Sequence, residues 1–206
     1  MTHAGRGAGK HAAEQPGRGT GLPEPEYRID PRTLREVPLD PDGAKAWLAA
    51  TSGDEAAAAS RIAWLRIMGR LAEAEEAARA ALDAVSPASS SPHTRAGNAL
   101  VPAVILPAIR LAQVLQWKGQ HGDALSLLGA VDQLLGRLGS AATDAEQANH
   151  AFLRQHRGKI LLDAGHPVWA LSEFRRALHL RLAAGFPEDQ RQSAEAAVRE
   201  ALRCLK

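Results

Sequence analysis

Three times the chain places a glycine five residues ahead of an alanine within helical surroundings: Gly69-Arg-Leu-Ala-Glu-Ala74, Gly119-Gln-His-Gly-Asp-Ala124 and Gly165-His-Pro-Val-Trp-Ala170. Each has an apolar helical stretch before it and an Ala/Leu-rich one after it. A glycine that closes one helix, followed by a small residue in the next helix, describes a tight antiparallel helical hairpin. Threefold recurrence of that unit predicts a stack of helical repeats.

The rest of the composition agrees with this constraint. Alanine, leucine and arginine abound while aromatic and β-branched residues are scarce, which favours an all-helical chain. With 206 residues there is enough chain for one good core, or for a core with tails. A formal charge of +2 gives no general reason to expect nucleic acid as a partner. Cys204 is the sole cysteine, so an internal disulfide and a thiolate metal cluster are both ruled out and a reducing interior is the natural compartment. The most apolar window, residues 99–108, is short and carries Pro102 and Pro107, so no membrane span is expected. No secretory signal is expected either, because the N-terminal residues lack an apolar core. The expectation is a cytoplasmic protein.

Residues 1–40 are rich in Gly, Pro and Arg, show no helical or strand period, and predict a disordered tail. A short helix beginning near Asp42 carries Trp47 and Leu48 onto the following domain, residues 41–206. Helix pairs are expected near 54–85, 95–138 and 143–184, with Asp54 capping the first helix. Ser86 to His93 reads as a loop, and Pro102 and Pro107 must kink or delay the helix that ends at Trp117. The segment 188–205 reads as a terminal amphipathic helix with Ala194, Ala197, Val198, Ala201, Leu202 and Leu205 on its apolar face.

Aligned on the turn glycine and the following alanine, these units resemble tetratricopeptide repeats, antiparallel helix pairs of about 34 residues. In the third unit Gly158 falls on the small position of the first helix, and Ala170, Phe174 and Ala177 on the small-large-small series of the second. The second unit supplies Leu111, Ala112, Leu115, Ala124, Leu128 and Val131 at the matching places. The first keeps Leu65, Gly69, Ala74, Ala78 and Ala81 but has Ile62 where a small residue belongs. The turn glycines lie 50 and 46 residues apart, wider than the family's spacing, so longer helices or loops must absorb the difference. The resemblance implies an all-α fold, a short α-solenoid of stacked antiparallel helix pairs with a C-terminal capping helix.

It also implies that the first helix of each pair lines a concave face. The positions on that face are Arg66 in the first unit, Gln113, Gln116 and Trp117 in the second, and Gln155, Lys159 and Asp163 in the third. Amide, cationic and aromatic groups together suit an extended peptide or a partner helix. Trp117 is either an anchor for that partner or a packing residue between repeats. Arg154, Arg157, Lys159, Arg175, Arg176 and Arg181 make the third unit basic, which points to a partner with an acidic segment or to an ordinary solvated surface.

Other chemistries lack their constellations. His150 and His156 are six residues apart, off a common helical face, so no metal site is expected. Gly5 to Lys10 resembles a phosphate loop only superficially, with His11 in place of Ser or Thr and no strand before it. No nucleophile has a base beside it, and neither catalysis nor a cofactor is expected. The expected function is a protein–protein interaction module, an adaptor binding a peptide or helix. The alternative is a sensing or dimerising component of a bacterial regulatory system, and self-association stays open.

Overall fold

The computed structural model describes residues 22–85, 100–137 and 144–206, and its helix boundaries fall where the turn glycines put them. A hairpin of β1 (Tyr27–Ile29) and β2 (Glu36–Pro38) precedes α1 (Pro41–Ala50), α2 (Ala58–Ile67), α3 (Leu71–Val85) and α4 (Leu100–Trp117). Then come α5 (His121–Arg137), α6 (Asp144–Asp163), α7 (Pro167–Ala183) and α8 (Glu188–Arg203). The fold is all-α, with the two short antiparallel strands as its only sheet among the described residues. The loop at Ser86–His93, the Gly5–Lys10 segment and the first half of the expected tail lie outside the described residues.

The repeated glycine does the same job each time. Gly69, Gly119 and Gly165 have φ of +75°, +77° and +79°, a region that costs any other residue its Cβ clearance. Each donates its N–H to the carbonyl three residues back, and the next residue donates to the carbonyl five back, as in Arg70 to Leu65, Gln120 to Leu115 and His166 to Leu161. That pair of bonds is the Schellman cap, which satisfies carbonyls the helix end leaves open. The alanine four residues into the next helix then packs with no exposed surface in all three cases, at Ala74, Ala124 and Ala170. Gly185 makes a fourth such turn between α7 and α8, with Phe186 donating to Arg181. It was not part of the repeat because Gln190, not alanine, stands five residues on.

Successive helices pack on one another along the chain, and α2, α4, α6 and α8 also touch in sequence. The first helices of the pairs thereby form a continuous layer. Most of the core is one cluster running from Ala44 and Trp47 in α1 to Leu153 and Ile160 in α6. A second joins Leu34 to Ala170, Leu171 and Phe174 of α7 and Ala197 and Ala201 of α8. At the α6–α7 contact the phenyl ring of Phe174 lies against Gly158, where an added Cβ would stand 2.5 Å from two ring carbons.

Helix α4 is described from Leu100 and continues through Pro107. Three details differ from the sequence expectation. Helix α2 starts at Ala58, because Asp54 spends its carboxylate on the N–H of Ala56 in a preceding turn. On α8, Ala194, Ala197 and Ala201 are buried, whereas Leu202 and Leu205 are 39% and 43% exposed. Finally, residues 22–40, expected within the tail, form the hairpin and a turn that leads directly into α1. There Asp40 accepts from the N–H groups of Asp42 and Gly43, and Pro41 takes the first helical position.

Candidate functional site

The residues expected to line one face come from three helices of the continuous layer. Lys159 and Asp163 are one helical turn apart on α6, Gln113 and Gln116 are three apart on α4, and Arg66 closes α2. The structure brings Arg66, Gln116, Trp117, Lys159 and Asp163 together around two residues of the hairpin, Arg35 and Glu36.

Glu36 is the centre of the charge arrangement. Arg66 donates to its Oε2 at 2.8 Å and Lys159 to its Oε1 at 3.3 Å, with the side chains of all three about one-tenth exposed or less. Burial alone would raise the carboxyl pKa, but the two cations outweigh it and hold Glu36 well below the usual carboxylate range. Removing one partner of so buried a pair typically costs about 3–5 kcal/mol, because the other charge stays behind in a poorly solvated site.

Trp117 has two guanidinium groups over its ring. The Cζ atoms of Arg35 and Arg66 lie 5.0 and 4.9 Å from its ring centroid. Stacking of this kind contributes about 0.5–2 kcal/mol per cation, depending on desolvation. Arg35 also donates to Asp163 at 3.0 Å, and Gln116 donates to the same Oδ2 at 3.0 Å.

Gln113 and Gln155 sit apart from this centre. Gln113 is hydrogen-bonded at 2.9 Å to Nε2 of the buried His156, whose Nδ1 has no partner. Burial, reinforced by the Lys159 charge, pushes His156 well below its ordinary pKa, so its ring is neutral. Gln155 accepts from Arg181 at 3.4 Å, and Arg181 donates again to the carbonyl of Gln190 at 2.9 Å. Burial lowers the Arg181 pKa to about 10.

The hairpin contributes more than two charges. Its turn is fastened by Asp30, whose Oδ1 accepts from the N–H of Arg32 at 2.9 Å and of Thr33 at 2.8 Å. The turn puts Leu34 at φ +55°, a strained conformation for a branched side chain, yet Leu34 is only 2% exposed. Its side chain is seated among Ala170, Phe174, Ala197 and Ala201. At the other end of the hairpin, Tyr27 meets Trp64 edge-on at 6.1 Å, and Glu24 accepts from the Trp64 indole at 3.1 Å and from Ser60 at 3.2 Å.

Leu34, Arg35 and Glu36 were missed by sequence reasoning. The one available signal was alternation in Tyr27–Ile29 and Glu36–Pro38, too brief to outweigh the surrounding Pro and Gly.

The basic surface of the third unit is largely paired within the chain. Arg154 reaches Asp132 of α5 at 2.7 Å and Glu173 at 3.2 Å, Arg157 reaches Asp132 at 3.2 Å, and Arg176 reaches Glu173 at 3.6 Å. Asp132 reaches these arginines from the preceding helix, outside the third unit. His150, Arg154, Arg175, Arg176 and His179 line an open concavity of about 520 Å³ between α6 and α7. Among the described residues no group of His, Cys, Asp and Glu is placed to hold a metal, and no helix is long and apolar enough to cross a membrane. No protein-family model, curated protein or solved structure matches the chain.

Proposed function

We propose that the chain is a protein-interaction module, a tetratricopeptide-like array that binds a peptide or partner helix on the face shared by α2, α4 and α6. The observation that carries this reading is the convergence of Arg66, Gln116, Trp117, Lys159 and Asp163 on a non-helical segment, here residues 35 and 36 of the same chain. A face that holds a short turn by ion pairs and cation–π contacts, next to an apolar socket on α7 and α8, has the chemistry that peptide recognition uses. An acidic residue in the partner would take the place that Glu36 holds between Arg66 and Lys159.

Affinity capture with wild type beside a Trp117→Ala/Lys159→Glu double variant tests this, after circular dichroism has established equal helix content. The reading expects a partner held by wild type and lost by the variant. Partners retained equally by both would remove the face from the function.

A second reading, self-association, is favoured by one feature. Val168 and Trp169 at the start of α7 are 64% and 68% exposed, and Leu202 and Leu205 are exposed at the end of α8 packed against it. A dimer in light scattering that Trp169→Ala converts to monomer would favour the regulatory, dimerising component over the adaptor.

A further inference from the structure

We infer that the face is read by three consecutive residues, apolar then guanidinium then carboxylate, and that the hairpin is a tethered competitor occupying it in place of a partner presenting the same order. The inference rests on the interaction-module reading and names the partner's chemistry. Leu34 fills a socket made by α7 and α8, Arg35 lies between Trp117 and Asp163, and Glu36 spans Arg66 and Lys159. Three adjacent residues thus enter three sites of different chemistry, so that reversing their order mispairs both outer ones.

Leu34 is buried in the smaller core cluster, yet several features make the hairpin exchangeable. Its strands are three residues each, and an isolated two-stranded hairpin is marginal in water at best. The large core cluster is built from helices α1 to α6, with Tyr27 as the hairpin's one contribution at its edge. Helix α1 has its own cap at Asp40 and its own contacts through Trp47 and Leu48, so the hairpin can lift off about Pro38–Asp40 without unravelling α1. Leu34 occupies its socket from a left-handed backbone conformation, a strain that favours release of the turn. Opposing release is the tether itself, which keeps the hairpin at an effective concentration of about millimolar order. A partner therefore binds only when its own contacts exceed that local competition.

The test uses the full chain and a fluorescein-labelled peptide of residues 22–40, followed by anisotropy. Wild type is expected to take up little peptide. A full-chain Leu34→Ser variant, its own hairpin loosened, is expected to bind about thirtyfold tighter or more, the usual consequence of an emptied site with buried charge contacts. A peptide carrying Glu36→Lys, or one with residues 34–36 reversed, is expected to bind neither protein. No peptide uptake by a Leu34→Ser variant of normal helix content overturns the inference, as does loss of the helices in that variant.

Hydrogen exchange on the wild type supplies a readout that needs no variant. The amides of Leu34 and Leu39 are expected to exchange well before those of α4, and equal protection overturns the inference. The two readings fail separately. Peptide binding with no cellular partner would sink the adaptor and leave the occupancy standing. A captured partner indifferent to Leu34→Ser would sink the competition alone.

Discussion

Gly158 is where one missing methyl group decides the fit of two helices. With ring carbons of Phe174 2.5 Å from where a Cβ would stand, the two helices meet at ring-to-backbone distance. Gly158→Leu is expected to lower stability by about 1–3 kcal/mol in urea titration, the range for overpacking a filled interior. A Phe174→Leu change in the same chain should recover part of the loss, giving a coupling in a double-mutant cycle. Ala170 is subject to the same limit, since it too has no exposed surface. Sequence alone identified both positions as small because the repeat pattern requires close approach there. Nothing in the residue pattern marks Leu34 as sharing a cluster with Phe174 and Ala170.

At the scale of the element, glycines divide into two kinds with opposite expected responses. Gly119→Ala puts a side chain at φ +77° and should cost about 1–2 kcal/mol. Gly129, inside α5 with open space at its Cβ position, should gain about 0.5–1 kcal/mol as alanine. Paired thermal melts of the two variants check both signs at once. These turns were legible because a Schellman cap is local, completed within six residues and punctuated by a residue type few other positions need. The hairpin was illegible for the converse reason. Glu36 meets Arg66 30 residues away and Lys159 123 away, and Arg35 meets Asp163 128 away. No window along the chain contains the ion pairs that seat it on the helices. The repeat spacing grouped Arg66, Gln116, Trp117, Lys159 and Asp163, while the hairpin they contact lies in a stretch whose composition resembles a tail.

Over the whole molecule, buried titratable groups tie stability to pH. The unfolded chain takes up a proton on His156 as pH falls through about 6.5, whereas the folded chain, with that imidazole held well below this value, does not. Stability is therefore expected to decline from about pH 6.5 downward. Glu36 adds to the same trend at lower pH, its contribution complete above 4.5 and lost as pH falls through its depressed folded value. His156→Gln should flatten the upper part of this slope and leave the lower part intact, as read from urea midpoints across the acid range.

The hairpin also has a mechanical consequence. A stack whose units meet only their neighbours opens from its ends and bends like a spring. Here one short segment reaches α2, α4 and α6 through its charges and α7 and α8 through Leu34. It is a tie rod across the coil, making remote layers share load. Loosening it with Leu34→Ser should broaden the denaturant transition even where the helix content is unchanged. Whatever displaces the hairpin would then alter the compliance of the whole array, and binding at one face would be felt as a change in stiffness at both ends.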